Sequence, residues 1–271
     1  MDNRPIGVFD SGLGGLTAVK ELTARMPEED IIYFGDTGRV PYGTRSREII
    51  IKYTRQDIAF LMTFDIKCIV IACGTVSTTA LDAVAGDYDI PIIGVVESAA
   101  SAAAGATKNG RIGIIGTEAS IASRSYEKTT ALYKPGAVCA AAACPLLVPL
   151  VENGRFRKGD AVAEAVVAEY LAPIKAEGVD TLIMGCTHYP LLRGIIADYM
   201  GGAVTLIDPG AKTAEFTADM LLKTGGRAEN GRTGTQSFFV SDSVESFSKL
   251  GGIFLERAIE GSVQKTDIER Y

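Results

Sequence analysis

Short apolar runs recur along the chain, and several of them end in a polar residue or lie directly before one. The first covers 6–10 (IGVFD), and similar runs cover 30–36, 68–72 and 91–96. Segments with helical spacing separate these runs, at 17–26 and at 46–64, where Ser46 is a predicted N-cap. Strand-length runs that alternate with helices predict βα units, and therefore a parallel sheet.

The same alternation starts again in the second half of the chain. Run 111–117 resembles the first run, with Thr117 in the place of Asp10, and 138–143, 180–186 and 204–208 also have strand character. Helices are predicted at 160–176, 189–200, 211–223 and 247–256, and 236–241 is the last predicted strand. The pattern predicts an α/β protein with two similar doubly wound parallel-sheet domains, related by a pseudo-twofold axis, with the active site in the cleft between them.

The domain boundary is predicted near the run of small residues at 99–105. The simplest arrangement returns the tail of the chain to the first half. The first domain would then comprise 1–97 and 208–271, and the second would comprise 98–207.

Two cysteines end two of the most apolar runs. Cys73 follows 68–72 and Cys186 follows 180–185, so the two thiols are 113 positions apart (186 − 73). Ligands of open α/β sheets bind at the carboxyl ends of strands. If the two runs face each other across a cleft, a small molecule between them meets a thiol on each face. A proton can then leave one side of a carbon and return to the other side.

Composition narrows the class of protein. The 271 residues are 47% hydrophobic and carry a net charge of −6 without a basic cluster, which does not favour a nucleic-acid partner. No apolar run reaches the ~20 residues of a membrane span, and no signal-peptide pattern precedes the first strand, so a cytoplasmic protein without membrane contact is expected. Five scattered cysteines, no CxxC and one histidine predict free thiols and no metal site.

Four motifs carry a family resemblance: DSGLGGL at 10–16, PYG at 41–43, AC-x-T at 72–75 and GCTHYP at 185–190. The stretch CPLLVPLVE at 144–152 adds a fifth. Together, and in this order, they resemble the glutamate racemases of the aspartate/glutamate racemase superfamily.

The resemblance implies a racemase that interconverts L- and D-glutamate without a cofactor and supplies D-glutamate for peptidoglycan. It implies that Cys73 and Cys186 are the two acid/bases, that Asp10 assists Cys73, and that Glu152 and His188 assist Cys186. Family precedent assigns D-glutamate to Cys73 and L-glutamate to Cys186, and leaves a homodimer open. The positions that the resemblance places around the substrate are Asp10, Ser11, Tyr42, Gly43, Gly74, Thr75, Thr117, Thr187 and His188.

The residues themselves fit this chemistry. A thiol has an ordinary pKa of about 8.5 and its surroundings can shift that value either way, so it can act as base or acid. No PLP-lysine signature occurs, whereas hydroxyls and main-chain amides at helix starts suit substrate carboxylates. Arg39, two residues before the PYG motif, is interpreted as a loop charge rather than a substrate clamp.

The sequence departs from the family pattern at two places. The stretch 97–99 (ESA) lacks the Pro-Gly expected after the acid, which is interpreted as a local change at the domain junction. The second departure is at position 74. Gly74 stands where the family usually has asparagine, whose side chain is expected to hold the amino-acid head group. Its absence puts one substrate hydrogen bond in doubt, and with it the specificity for glutamate.

Other interpretations remain open. The chain fits a racemase of aspartate or another acid, or a hydantoin or maleate enzyme of the same superfamily, or a non-catalytic amino-acid-binding protein. A redox protein is less favoured because CxxC is absent. Cys68, Cys139 and Cys144 are interpreted as packing residues, since free cysteine is usually buried. Asp10 as a turn acid and Glu152 as a solvated acid are the simpler alternatives for those two residues.

Overall fold

The computed structural model describes residues 1–229, 231–259 and 263–271. Within them, ten strands form two parallel sheets. The strands are β1 (Ile6–Asp10), β2 (Ile31–Gly35), β3 (Cys68–Ile71), β4 (Ile92–Gly94), β5 (Arg111–Gly116), β6 (Val138–Ala143), β7 (Thr181–Met184), β8 (Thr205–Ile207), β9 (Gln236–Val240) and β10 (Val263–Lys265).

The two sheets share a strand order. The larger has the order β10-β9-β2-β1-β3-β4, and the smaller has the order β6-β5-β7-β8. Four strands of the first sheet therefore repeat as the whole of the second, so that β3 and β7 occupy equivalent places beside a central strand. All observed pairings are parallel. The chain is thus an α/β protein with two similar doubly wound sheets.

Helices cover the faces of both sheets, as buried parallel strands require. They are α1 (Leu16–Arg25), α2 (Arg47–Leu61), α3 (Gly74–Thr79), α4 (Leu81–Val84), α5 (Val95–Ala106), α6 (Glu118–Ser123), α7 (Ser125–Tyr133), α8 (Leu147–Glu152), α9 (Ala161–Ala176), α10 (Arg193–Met200), α11 (Pro209–Lys223) and α12 (Val244–Leu255). Short 3-10 helices cover Ala85–Asp87, Tyr189–Leu192 and Ile268–Arg270. The predicted N-cap is confirmed, because the Ser46 side chain accepts a hydrogen bond from the Ile49 amide.

Two helices carry the chain between the sheets. α5 connects β4 to β5, and α11 connects β8 to β9, and the two pack against each other. Ala99 and Ala103 of α5 are fully buried, and small side chains allow this close packing. Ser98 of α5 and Thr213 of α11 are joined by a buried hydrogen bond of 2.9 Å between their hydroxyls. The two crossovers therefore form one contact where the halves meet.

The structure differs from the sequence-based expectation at several elements. A strand, β10, follows β9, which was predicted to be the last; its three residues (VQK) are too few and too polar to show alternation. Two helices that were not predicted, α6 and α7, occupy 118–133. The segment after Cys73, where the sequence predicts one helix that begins near Thr75 or Ser77, is split into α3 and α4 at Ala80. The domain boundaries at 97/98 and 207/208 stay a prediction.

The length and polarity of a helix decide whether it could cross a membrane. Among the residues that the structure describes, no helix combines the length and apolar character that crossing a membrane requires.

Candidate active site

The carboxyl ends of β3 and β7 open into one cavity of about 310 Å³. Cys73, two residues after β3, and Cys186, two residues after β7, both line it. The same cavity receives most of the positions that the sequence singled out. These are Ser11, Tyr42, Gly43, Gly74, Thr75, Thr117, Glu152, Thr187 and His188.

Cys73 lies against the glycine turn that follows β1. Its sulfur is 3.5 Å from the hydroxyl of Ser11. Burial, reinforced by the negative charge of Asp10, raises the pKa of the Cys73 thiol to about 12. Cys73 is therefore a thiol rather than a thiolate at neutral pH.

Asp10, at the end of β1, is fully buried and does not line the cavity. One carboxylate oxygen accepts the Gly12 amide at 2.9 Å, and the other has no hydrogen-bond partner. Burial raises the pKa of Asp10 against the opposing effects of His188 and of the Gly12 and Gly15 amides. Asp10 is thus outside the cavity lining, and its contact with the substrate stays a prediction.

Cys186 has a different set of partners. Its sulfur is 3.9 Å from Nδ1 of His188, and Nε2 of His188 is 3.1 Å from a carboxylate oxygen of Glu152, the last residue of α8. Burial acts to lower the pKa of His188, but the hydrogen bonds to Cys186 and Glu152 outweigh it and raise that pKa to about 10. A protonated imidazole therefore lies beside the sulfur of Cys186 at neutral pH.

Hydroxyl groups connect the two sides of the cavity. Thr75, in the first turn of α3, and Thr117, the N-cap of α6, are 2.9 Å apart between their hydroxyl oxygens. The hydroxyl of Thr187 is 3.4 Å from Nδ1 of His188. These groups can donate to a bound carboxylate or accept from an ammonium group.

Gly74 has no room for a side chain. A Cβ atom built at Gly74 would overlap the carbonyl oxygen of Gly185, the residue before Cys186. The main chains that carry the two cysteines are therefore in close contact. The missing asparagine side chain corresponds to backbone packing at this point, rather than to an empty subsite.

Some lining residues were not singled out from the sequence. Leu13, Val40, Pro41, Thr44 and Glu118 carried no pattern of their own and reach the cavity only through the fold. Pro145, Val148 and Pro149 belong to the fifth motif, and the one-sided spacing of Val148 and Pro149 with Glu152 along α8 was the available signal.

The lining of the cavity is poor in positively charged side chains. Among the described residues that line it, none is a lysine or an arginine. Arg39 instead contacts Asp36 and Asp57. Within 1–229, 231–259 and 263–271, no group of three or more His, Cys, Asp or Glu side chains is arranged to hold a metal ion.

Comparison with known proteins was made on sequence and on fold. Residues 17–217 match the model of the Asp/Glu/Hydantoin racemase family. A glutamate racemase of Geobacter metallireducens is 42% identical over 266 residues, which is 98% of this chain and 97% of that protein.

Two crystal structures superpose closely on the fold. A glutamate racemase isoform from Bacillus anthracis has a TM-score of 0.93 at 38% identity, with 98% of each chain covered. A glutamate racemase from Francisella tularensis, solved in complex with D-glutamate, has a TM-score of 0.92 at 35% identity, with both chains fully covered.

Proposed function

The chain belongs to the Asp/Glu/Hydantoin racemase family, and we propose on this premise that it interconverts L- and D-glutamate, with Cys73 and Cys186 as its two acid/bases. The observation that carries the proposal is the placement of both thiols on one cavity, after the equivalent strands β3 and β7. Its relatives of 35–42% identity over nearly the full chain are glutamate racemases.

The reaction moves one proton off the Cα atom and another onto it. One cysteine acts as a thiolate and removes the Cα proton, which leaves a carbanion-like intermediate. The opposite thiol then donates its proton to the other face of the same carbon. The protonation states of the two cysteines are exchanged by this turnover, so the enzyme that results is ready for the reverse reaction.

Each thiol has its own supporting groups. Asp10, buried behind Cys73 with one unpartnered oxygen, can exchange a proton with that thiol. His188, held by Glu152, supplies a positive hydrogen-bond donor to the sulfur of Cys186. The raised pKa of Cys73 fits an enzyme in which this thiol carries its proton and acts first as the acid. Family precedent assigns L-glutamate to Cys186 and D-glutamate to Cys73.

The remaining lining residues suit an amino acid with two carboxylates. The hydroxyls of Ser11, Thr75, Thr117 and Thr187 act as neutral donors, with Tyr42, Gly43 and Gly74 completing the wall. Neutral donors bind the carboxylates without the tight ion pair that would over-stabilise the ground state. The product D-glutamate serves peptidoglycan synthesis.

Solvent isotope exchange tests the activity. Incubation of the protein with D-glutamate in D₂O is expected to give L-glutamate that carries deuterium at Cα, measured by chiral chromatography with mass spectrometry. A panel with aspartate and other acidic amino acids decides between glutamate and related substrates. A folded protein that inverts and exchanges none of them would exclude a racemase and favour a binding protein.

Serine substitutions test the two thiols. Cys73→Ser and Cys186→Ser are each expected to lower kcat for racemisation at least about 100-fold, since a positioned acid/base contributes this much. Cys144→Ser, at a buried cysteine that does not line the cavity, is the matched control. Each active-site variant should still eliminate from a glutamate analogue with a leaving group, for one enantiomer only, because elimination needs a single base. If both serine variants kept full activity, the two-thiol mechanism would be contradicted.

We also propose a homodimer as the assembly. Light scattering on the purified protein measures the molar mass directly, and a mass of 28.6 kDa would contradict it.

A further inference from the structure

A buried set of charged and polar side chains lies beneath the loop at 40–44. We call it the loop cluster: Asp36, Arg39, Tyr42, Gln56 and Asp57. The Arg39 guanidinium donates to Asp36 at 2.6 Å, to Gln56 at 2.6 Å and to Asp57 at 2.9 Å. The hydroxyl of Tyr42 donates to Asp36 and lies 3.2 Å from Asp57. Two carboxyl groups are therefore bridged by one guanidinium and one phenol.

The buried charges of the loop cluster require close partners. Asp36 and Asp57 are fully buried, and the Arg39 side chain is 10% exposed, with its guanidinium 4.1 Å from the centre of the Tyr53 ring. Buried carboxylates depend on their partners, since an unpaired buried charge costs several kcal/mol. Burial and the neighbouring Asp36 both raise the pKa of Asp57, while Arg39 acts in the opposite sense. Arg39 is thus the one cation among the five members of the loop cluster, and it contacts both carboxyl groups.

The loop above the cluster forms one wall of the cavity. Val40, Pro41, Tyr42, Gly43 and Thr44 all line it. The wall is packed against the other half of the molecule: a Cβ at Gly43 would lie 2.9 Å from the Cβ of Thr117, and the Gly43 carbonyl accepts the Ala119 amide at 3.2 Å. A small displacement of this loop would change the shape of the cavity at Thr117.

We propose that Arg39 is a positioning residue for substrate binding, which holds the 40–44 loop against the cavity through Asp36, Asp57 and Tyr42. The inference rests on the proposed racemase function. Arg39 does not contact the substrate itself, because it does not line the cavity and its donors are engaged by the cluster. The proposal gives Arg39 the role of holding this loop, in place of the loop charge that the sequence suggested.

One further partner of Arg39 lies near the carboxyl end of the chain. Glu269 is 3.3 Å from Arg39, but its side chain is 61% exposed. Exposed ion pairs contribute little. Glu269→Gln therefore removes the negative charge beside Arg39 without disturbing the buried part of the cluster, and it is expected to leave KM unchanged.

The test separates loop position from general stability. Arg39→Lys, which keeps the charge but loses the planar fork, is expected to raise KM for glutamate about 3-fold, and Arg39→Met about 10-fold, with kcat within about 3-fold in both. The matched control is Lys67→Gln, which breaks the buried Lys67–Glu29 pair at the opposite, amino-terminal end of β3. This control should lower Tm and leave KM unchanged.

Three results would overturn the inference: a lower Tm with unchanged KM in both Arg39 variants, a fall in kcat with unchanged KM, or an equal rise in KM in Lys67→Gln. If Arg39→Met does not fold, Arg39→Lys decides. The proposed function is judged separately, by racemisation in the unsubstituted protein. If that protein does not racemise glutamate, the change in D-glutamate affinity measured by calorimetry still tests the effect of Arg39 on the cavity.

Discussion

A glycine lies beside each of the two cavity thiols. Gly74 follows Cys73 and Gly185 precedes Cys186, and the main chains of these glycines are in contact across the cleft. Because no side chain separates them, the two main chains that carry the thiols approach each other closely. The absence of a Cβ at position 74 is therefore part of the geometry of this site.

Substitution of Gly74 tests this interpretation. Gly74→Ala and Gly74→Asn both place a Cβ against the Gly185 carbonyl and push the two strand ends apart. We expect kcat to fall about 10-fold or more in each, because misplacement of reacting groups by about 1 Å is costly. The measurement is steady-state racemisation in both directions.

Gly105→Ala is the matched control, since a Cβ there meets no atom within 4 Å. It should keep full activity. Higher activity on glutamate in Gly74→Asn would contradict the packing argument and show instead that a substrate contact had been missing.

Two short helices, α3 and α6, contribute to the site with the residues at their amino-terminal ends. α3 starts directly after Cys73, and α6 starts at its N-cap Thr117, after β5. The Thr117 hydroxyl accepts the Ser120 amide at 3.3 Å and also meets Thr75 at 2.9 Å. One hydroxyl therefore caps a helix and joins the two sides of the cleft.

The element-level prediction compares two changes at Thr117. Thr117→Val keeps the shape but removes the hydroxyl, and it is expected to lower stability by about 1 kcal/mol through the lost cap and to raise KM. Thr117→Ser keeps the hydroxyl oxygen and should retain the stability and the KM of the unsubstituted protein. Denaturant unfolding and steady-state kinetics measure the two effects, and equal behaviour of the two variants would refute a role for the hydroxyl.

The sequence predicts helices and strands well where the segment is long enough to contain several periods of the pattern. The Ser46 cap and the strands that precede Cys73 and Cys186 follow from local spacing. β10 and the helix α6 do not, because a three-residue strand and a six-residue helix contain less than two periods of any pattern. Their positions depend on contacts with distant parts of the chain.

At the scale of the whole molecule, His188 lies between the two halves. Glu152 bonds one edge of its ring, and Phe254 of α12 packs against it with ring centres 5.1 Å apart. Its pKa in the fold is about 10, against an ordinary value of 6.5. Protonation of His188 therefore stabilises the fold fully below about pH 6.5, and this stabilisation is lost as pH rises through about 10.

Thermal unfolding as a function of pH tests this linkage. Between about pH 6.5 and 10, Tm is expected to fall more steeply in the unsubstituted protein than in His188→Asn, which lacks the titrating group. Lys158→Gln, which breaks an exposed ion pair with Asp198, is the control and should follow the unsubstituted curve. Parallel curves for His188→Asn and the unsubstituted protein would contradict the raised pKa.

The amino-acid sequence by itself determined the α/β class, the βα repeat and the motifs that contain both thiols, because these depend on local periodicity and on residue type. Only the tertiary structure decided that Asp10 lies behind the cavity wall, that Gly74 packs on Gly185, and that Arg39 joins Asp36 to Asp57. Each of these facts depends on distances between residues far apart in the chain or on the path of a side chain. Such distances are set by how two sheets pack on each other, which a local pattern does not encode.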